Sequence, residues 1–168
     1  IKILWYNFLY YIYLAKVVLM LSKTKKSLNK NIIIASDHAG FGLKEEIKKF
    51  LIKRNKRVHD LGTSSINSVD YPDYAHLLSK KIKKKPYFGI LVCGSGTGMA
   101  ITANKYKYIR AAQCYSIRST ILSRKHNNAN VMAIGARLIK KKLALQCVSV
   151  FLKTNFDGGR HIKRINKI

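Results

Sequence analysis

Residues 88–99 read Phe-Gly-Ile-Leu-Val-Cys-Gly-Ser-Gly-Thr-Gly-Met, a β-favouring apolar run that stops at Cys93 and gives way to alternating glycines. Phe88, Ile90, Leu91 and Val92 predict a strand buried on both faces. Gly94, Gly96 and Gly98 permit a tight turn, and the small and apolar residues from Met99 to Asn104 predict the start of a helix. Strand, glycine loop and helix start make a cradle whose N–H groups can face a phosphate or a developing oxyanion. A cysteine placed there has its thiolate favoured.

Neighbouring residues set aside other users of glycine loops. A P-loop carries Lys-Ser/Thr after its last glycine, whereas Met99-Ala100 follow Gly98. A dinucleotide fingerprint places an acid about 20 residues further on to hold a ribose hydroxyl, yet no Asp or Glu occurs between Asp73 and Asp157. A thioredoxin-like pair wants a second cysteine close by, and the next is Cys114. Two readings remain: a cradle with a lone cysteine, or a structural turn in which Cys93 is a small core residue.

Outward from this stretch the pattern repeats. Ile32-Ile33-Ile34-Ala35 predicts a short buried strand ending at Ser36-Asp37-His38-Ala39-Gly40, and Leu43, Ile47, Phe50 and Leu51 recur at helical spacing. Arg57 to Leu61 reads as a second strand and Tyr74 to Ile82 as a helix, with Pro72 suited to its first turn. Beyond the glycine loop, the strands Arg110–Cys114 and Val131–Ile134 are each followed by a helix, Ile117–His126 and Leu143–Leu152. Strands alternating with helices predict an α/β chain: a single Rossmann-like three-layer domain with a five-stranded parallel sheet, of simplest order 2-1-3-4-5. In that order the winding reverses between strands 1 and 3, and ligands of open α/β sheets bind beyond the carboxyl ends of the strands at such a point. Asp37-His38 and Cys93-Gly94-Ser95 are thereby set on the two sides of one crevice.

At 168 residues the chain suits one domain with a full core. Its net charge of +26 raises a nucleic-acid or anionic-membrane reading. The lysines are dispersed, however, at Lys23, Lys25, Lys26, Lys83 to Lys85 and Lys140 to Lys142, with no zinc-finger or RRM signature to organise them. A solvated lysine-rich surface, binding polyanions in a salt-sensitive way and no nucleic acid specifically, is the expectation. Cys93, Cys114 and Cys147 suggest neither a disulfide framework nor a zinc site, which favours a reducing compartment such as the cytoplasm. Residues 1–22 are strongly apolar and aromatic but interrupted by Lys2, Asn7 and Lys16, a weak membrane or signal candidate. With the polar stretch Ser22 to Lys30 they are expected to stand outside the domain 31–168, as upstream translation before Met20 or as a removable leader, organelle-directed if genuine. No membrane association is expected of the core domain.

Asp37-His38 reads equally as an acid-imidazole dyad or as a helix-capping Asp beside an exposed His, and the predicted nearness of Cys93 favours the dyad. His126-Asn127 closes a helix, where a histidine commonly complements the helix dipole. Arg160 and Arg164 stand one helical turn apart, suited to a phosphate, though in so basic a chain two solvated arginines are the plainer reading.

Together, Ser36-Asp37-His38-Ala39-Gly40, Asp70-Tyr71-Pro72, Cys93-Gly94-Ser95-Gly96-Thr97-Gly98, Ala103-Asn104-Lys105, Ser123-Arg124-x-His126-Asn127, Gly135-Ala136-Arg137 and Gly158-Gly159-Arg160-His161-x-x-Arg164 resemble, in order and spacing, the type B ribose-5-phosphate isomerase family, which also includes galactose-6-phosphate isomerase subunits. The resemblance covers Asn31 to Arg164. It implies an aldose-ketose isomerase of the pentose phosphate pathway interconverting ribose 5-phosphate and ribulose 5-phosphate, with no metal, nucleotide or other cofactor. By the same resemblance Cys93 is the base, His126 opens the sugar ring with help from Asp37, and Ser95 with the amides of Gly96, Thr97 and Gly98 holds the enediolate beside Gly94. Arg137, Arg160, Arg164 and His38 take the phosphate, and Tyr71 and Asn127 line the site. Some family members use a Glu just after the glycine loop as base; Met99 stands there, which places this chain with the cysteine type. The family builds its site between subunits, which implies a homodimer or tetramer. The alternatives are a six-carbon sugar 6-phosphate as substrate, or a non-catalytic basic nucleic-acid-binding domain on the same scaffold.

Overall fold

The computed structural model describes residues 31–84 and 87–168; the expected N-terminal extension 1–30 lies outside the described residues. Strands and helices alternate as β1 (Ile32–Ser36), α1 (Phe41–Ile52), β2 (Val58–Asp60), α2 (Tyr71–Lys84), β3 (Phe88–Cys93), α3 (Thr97–Ala103), β4 (Ala111–Gln113), α4 (Ile117–Asn127), β5 (Val131–Gly135), α5 (Lys141–Lys153) and α6 (Arg160–Ile165). Among these helices none is long and apolar enough to cross a membrane.

All strand pairs are parallel, in the order β2-β1-β3-β5-β4. The expected order 2-1-3-4-5 is therefore corrected at its far edge, where β5 sits between β3 and β4. The residues explain the exchange. β5 is Val-Met-Ala-Ile-Gly and buried along its whole length, whereas β4 is Ala-Ala-Gln and only half-buried. A strand apolar on both faces gains most from a central position, and a three-residue strand ending in glutamine is suited to an edge. The reversal of winding between β1 and β3 is unaffected, and so is the crevice it creates.

Alternation along the central strands divides the core into two layers. Ile32, Ile34, Phe88, Ile90, Val92, Met132 and Ile134 face α1 and α5, packing with Ile47, Leu51, Ala144, Cys147, Val148 and Phe151. Ile33, Ala35, Leu91, Cys93, Val131 and Ala133 face α2 and α3, meeting Ala75, Leu78, Ile82, Met99 and Ala103. Each fully buried large side chain here contributes about 1.5–3 kcal/mol. Phe88 and Phe151 add an edge-on contact with ring centroids 5.5 Å apart.

The turn from β1 into α1 is pressed onto β3. The Asp37 N–H donates to Val92 O at 3.2 Å, and a Cβ on Gly40 would stand 2.2 Å from that same carbonyl oxygen, so only glycine fits.

One full turn into α1, the Lys44 side chain is 1% exposed, and its ammonium meets Asp60 Oδ2 at 2.6 Å and Glu45 Oε1 at 2.7 Å. Lys48 reaches the same two carboxylates at 2.8 Å. A buried ammonium is tolerable only with partners of this kind. Asp60 Oδ1 also accepts from the Gly62 N–H at 3.0 Å, so the network holds the exit from β2 as well.

Burial by itself would raise the Asp60 and Glu45 carboxyls, but hydrogen bonds from Lys44 and Lys48 more than reverse it and both titrate below their ordinary values. A carboxyl held low in the folded state gives stability that is present above its unfolded value and lost as the pH falls through the folded one. The contribution of this network to urea-unfolding midpoints should accordingly be level above about pH 5 and decline below about pH 4. In Asp60→Asn that acid decline should be shallower, and an unchanged slope would show that the network does not couple to folding.

Candidate active site

β1, β3 and β5 end nearly level, with Ser36 opposite Val92 and Cys93 opposite Gly135. The loops leaving them build the site. From β1 comes Asp37, 6% exposed, whose Oδ1 accepts from the Gly40 N–H at 2.8 Å. Asp37 is not the cap of α1, whose N-cap is Gly40; its carboxylate braces the turn that leads into the helix and also lines a cavity. His38 Nδ1 meets the N–H and the carbonyl of Val69 at 3.2 and 3.3 Å. That contact ties the β2–α2 loop to the β1 turn and brings Tyr71, the first residue of α2, to the crevice.

From β3 comes Cys93, 4% exposed, whose sulfur accepts from the Gly96 N–H at 3.0 Å. Gly96 has φ +82°, a left-handed turn that folds its amide back toward the sulfur. Because this turn completes the loop in three residues, α3 starts at Thr97, two residues before the expected Met99. An N–H aimed at the sulfur fixes the Cys93 side chain in place beneath the loop. Gly98, in the first turn of α3, lies beneath the Tyr71 ring, from which a Cβ would stand 2.6 Å.

From β5 comes Arg137. Its backbone N–H donates to Gly94 O at 3.1 Å, next to Ala136 N donating to Cys93 O at 2.8 Å, so the two loops are stitched together. From edge strand β4, Gln113 Nε2 donates to Ser95 O at 2.8 Å and to Thr97 Oγ1 at 2.9 Å, clamping the glycine loop from its outer side. Ser95 Oγ in turn accepts from the Thr97 N–H at 3.3 Å.

These loops enclose a cavity of about 290 Å³ lined by Asp37, Tyr71, Cys93, Gly94, Ser95, Gly98, Arg137 and Leu138. It is at the small end of ligand sites, a size for one small polar molecule. A carboxylate, a thiol, a hydroxyl and a guanidinium converge in it. Among the described residues no carboxylate stands within ion-pair distance of Arg137, Arg160 or Arg164, and no group of three His, Cys, Asp or Glu side chains could hold a metal ion.

The remaining predicted residues form a second group, at the end of α4 and on α6. The His126 ring lies face to face on that of His161, centroids 4.3 Å apart and planes 8° from parallel. Arg160 and Arg164 are exposed on α6. Asn127 lines a separate cavity of about 310 Å³ with Asn104, Tyr106 and Arg110. None of these four lines the cavity at Cys93. Sequence reasoning missed Gln113 and Leu138. A polar residue ending a strand beside the crevice was a signal for the first, whereas a leucine after Arg137 carries none.

The other two cysteines are in the core. Burial pushes the Cys114 thiol up to about 11 and raises Cys147 as well. His161 is held below its ordinary value by burial first and then by the neighbouring charges of His126, Arg160 and Arg164.

Compared with known proteins, residues 32–168 match the model of the ribose/galactose isomerase family. Ribose-5-phosphate isomerase B of Escherichia coli is 41% identical over 140 residues, 83% of this chain and 94% of that protein. A ribose 5-phosphate isomerase crystal structure from Thermotoga maritima superposes with a TM-score of 0.81 at 50% identity, covering 82% of this chain and 96% of the other. Ribose-5-phosphate isomerase B from Mycoplasma genitalium, solved with bound ribulose-5-phosphate, gives 0.79 at 43% identity over 82% and 92%.

The three thiols should be distinguishable by alkylation. At neutral pH Cys93, on the cavity wall, should be the first residue labelled by iodoacetamide in the native protein, with Cys114 and Cys147 silent until urea unfolds the chain. Peptide mass spectrometry reads the result, and early labelling of Cys114 would contradict the placement of Cys93 at the accessible cavity.

Proposed function

This chain belongs to the ribose/galactose isomerase family, and from that premise we propose that it interconverts ribose 5-phosphate and ribulose 5-phosphate through an enediolate, with Cys93 as the base. The observation that carries the proposal is the meeting of Asp37, Cys93, Ser95 and Arg137 around one cavity at the switch point of the sheet. A 1,2-isomerisation requires one base able to reach both carbons, donors directed at the oxyanion that forms, and a grip on the phosphate that keeps the substrate still.

The residues meet those requirements as follows. His126, with Asp37, opens the furanose ring by moving a proton between the anomeric hydroxyl and the ring oxygen. The Cys93 thiolate then takes the proton from C2, the C–H electron pair becomes the C1–C2 double bond, and negative charge passes to O1. Ser95 and the N–H groups of Gly96, Thr97 and Gly98 stabilise that oxyanion, the Gly96 and Thr97 amides by turning to it from the Cys93 sulfur and the Ser95 hydroxyl that they otherwise meet. Movement of the O2 proton to O1 and return of the Cys93 proton to C1 complete the ketose. Arg137, Arg160, Arg164 and His38 take the phosphate, and Tyr71 and Asn127 wall the sugar.

Within one chain His126, Asn127, Arg160 and Arg164 stand apart from Cys93, and the reading joins the two groups by pairing subunits. In the homodimer, the α4 end and α6 of one protomer complete the cavity of its partner. The unneutralised arginines favour this arrangement, since an exposed pair on α6 that makes no ion pair among the described residues is free to take a phosphate.

Three measurements test the reading. Cys93→Ala should abolish turnover of ribose 5-phosphate while leaving the circular dichroism spectrum intact, and a normal rate would remove Cys93 from the chemistry. Ser95→Ala should slow turnover by about 100- to 1000-fold, the scale of losing one oxyanion donor. Specific activity should fall on dilution in step with dimer dissociation, and a fully active monomer would refute the shared site. A parallel assay with allose and galactose 6-phosphates decides between pentose and hexose.

A further inference from the structure

The last turn of α4 is fastened to the C-terminal segment by three successive residues. Arg124 Nε donates to Thr154 O at 3.1 Å. Lys125 accepts the Asp157 N–H on its carbonyl at 3.0 Å and brings its ammonium within 3.5 Å of the Asp157 carboxylate. His126 follows, with its imidazole stacked on His161. Among the described residues no side-chain hydrogen bond or ion pair orients His126. Its ring plane is therefore set by the one flat surface it rests on.

We propose that His161 is a positioning residue for sugar-ring opening, holding the plane of the His126 imidazole by face-to-face stacking. The proposal rests on the isomerase reading, in which His126 performs that step.

The geometry has a definite consequence for proton transfer. In a parallel stack both ring nitrogens of His126 stay at its edge, free to meet a ligand in the plane of the ring. Rotation about the Cβ–Cγ bond would drive that edge into the His161 ring, which is 8% exposed and cannot withdraw into solvent without undocking α6. The direction of the transferred proton is fixed before the sugar arrives, which is what an effective general acid-base group requires.

The surrounding charges act in the same sense. Burial, together with His126, Arg160 and Arg164, disfavours a proton on His161, and Asp157, the one opposing carboxylate, is already engaged by Lys125. Two imidazoles at this distance do not both carry charge cheaply.

The chemistry of the substrates supplies the test. Ribose 5-phosphate closes to a furanose through O4 and must be opened. Ribulose 5-phosphate, with its carbonyl at C2 and its O5 phosphorylated, has no five- or six-membered ring to open, so exchange of its C1 proton with deuterated solvent reports the proton-transfer half alone. In His161→Ala, kcat for ribose 5-phosphate should fall by roughly ten- to a hundredfold with KM little changed, while C1 exchange keeps the wild-type rate. His161→Phe, which restores a flat face without a titrating group, should recover most of the loss. Equal losses in turnover and exchange would mean that His161 is merely structural. Undiminished turnover in His161→Ala, or a His161→Phe protein as slow as the alanine variant, would equally overturn the proposal. Wild-type protein that neither turns over ribose 5-phosphate nor exchanges ribulose 5-phosphate would instead sink the isomerase reading, and the role of His161 with it.

Discussion

Contact between the β1 turn and the body of β3 is the constraint from which the site follows. Val92 O takes the Asp37 N–H, and Gly40 is pressed against the same carbonyl so closely that no side chain could intervene. This brings the ends of two strands, some 55 residues apart in the chain, to one level. The loops that leave them then have to face each other. Asp37 from one and Cys93 from the other share a cavity because the backbone beneath them is packed this closely.

A second constraint is the scarcity of acids. The chain has 7 Asp and Glu against 33 Lys and Arg, and the structure spends several of those acids on architecture. Glu45 and Asp60 neutralise buried Lys44 and its neighbour Lys48, Glu46 lies near Lys49 and Lys141, and Asp157 pairs with Lys125. Among the described residues Arg137, Arg160 and Arg164 have no carboxylate within ion-pair distance. A general excess of positive charge is thereby converted into particular guanidinium groups free for a small anion. Fixed dipoles and the unneutralised Arg137 guanidinium in a narrow cavity raise the local concentration of a phosphorylated substrate, so the unusual composition and a sugar-phosphate site are compatible.

The glycine loop shows how few contacts such a cradle needs. Its inner side is fixed by the Gly96 amide on the Cys93 sulfur, its floor by β5 through Arg137 N and Ala136 N, and its outer side by Gln113 from the edge strand. Three different elements therefore hold a segment of only a few residues. That bracing explains how a loop rich in glycine can present Ser95 and its amides in one conformation.

Much of this was legible in the residues themselves. Runs such as Ile32 to Ala35 and Phe88 to Val92 are apolar without interruption, so they had to be strands covered on both faces, and the alternation with amphipathic helices made the sheet parallel. Cys93 and Asp37 each end such a strand, which was enough to set them on one crevice. What the linear pattern did not carry was the order at the far edge. β4 and β5 are both short and both followed by helices, and only the competition for the central position, won by the fully apolar Val131 to Gly135, put β5 beside β3. Nor could spacing reveal that Gln113 clamps the loop, or that His161 would lie against His126, since each of those contacts joins residues whose nearness is created by packing. Local sequence decided which elements form and what chemistry stands at their ends. Tertiary structure decided which of those ends meet, because side-chain contacts across the sheet depend on how every layer of the core is filled at once.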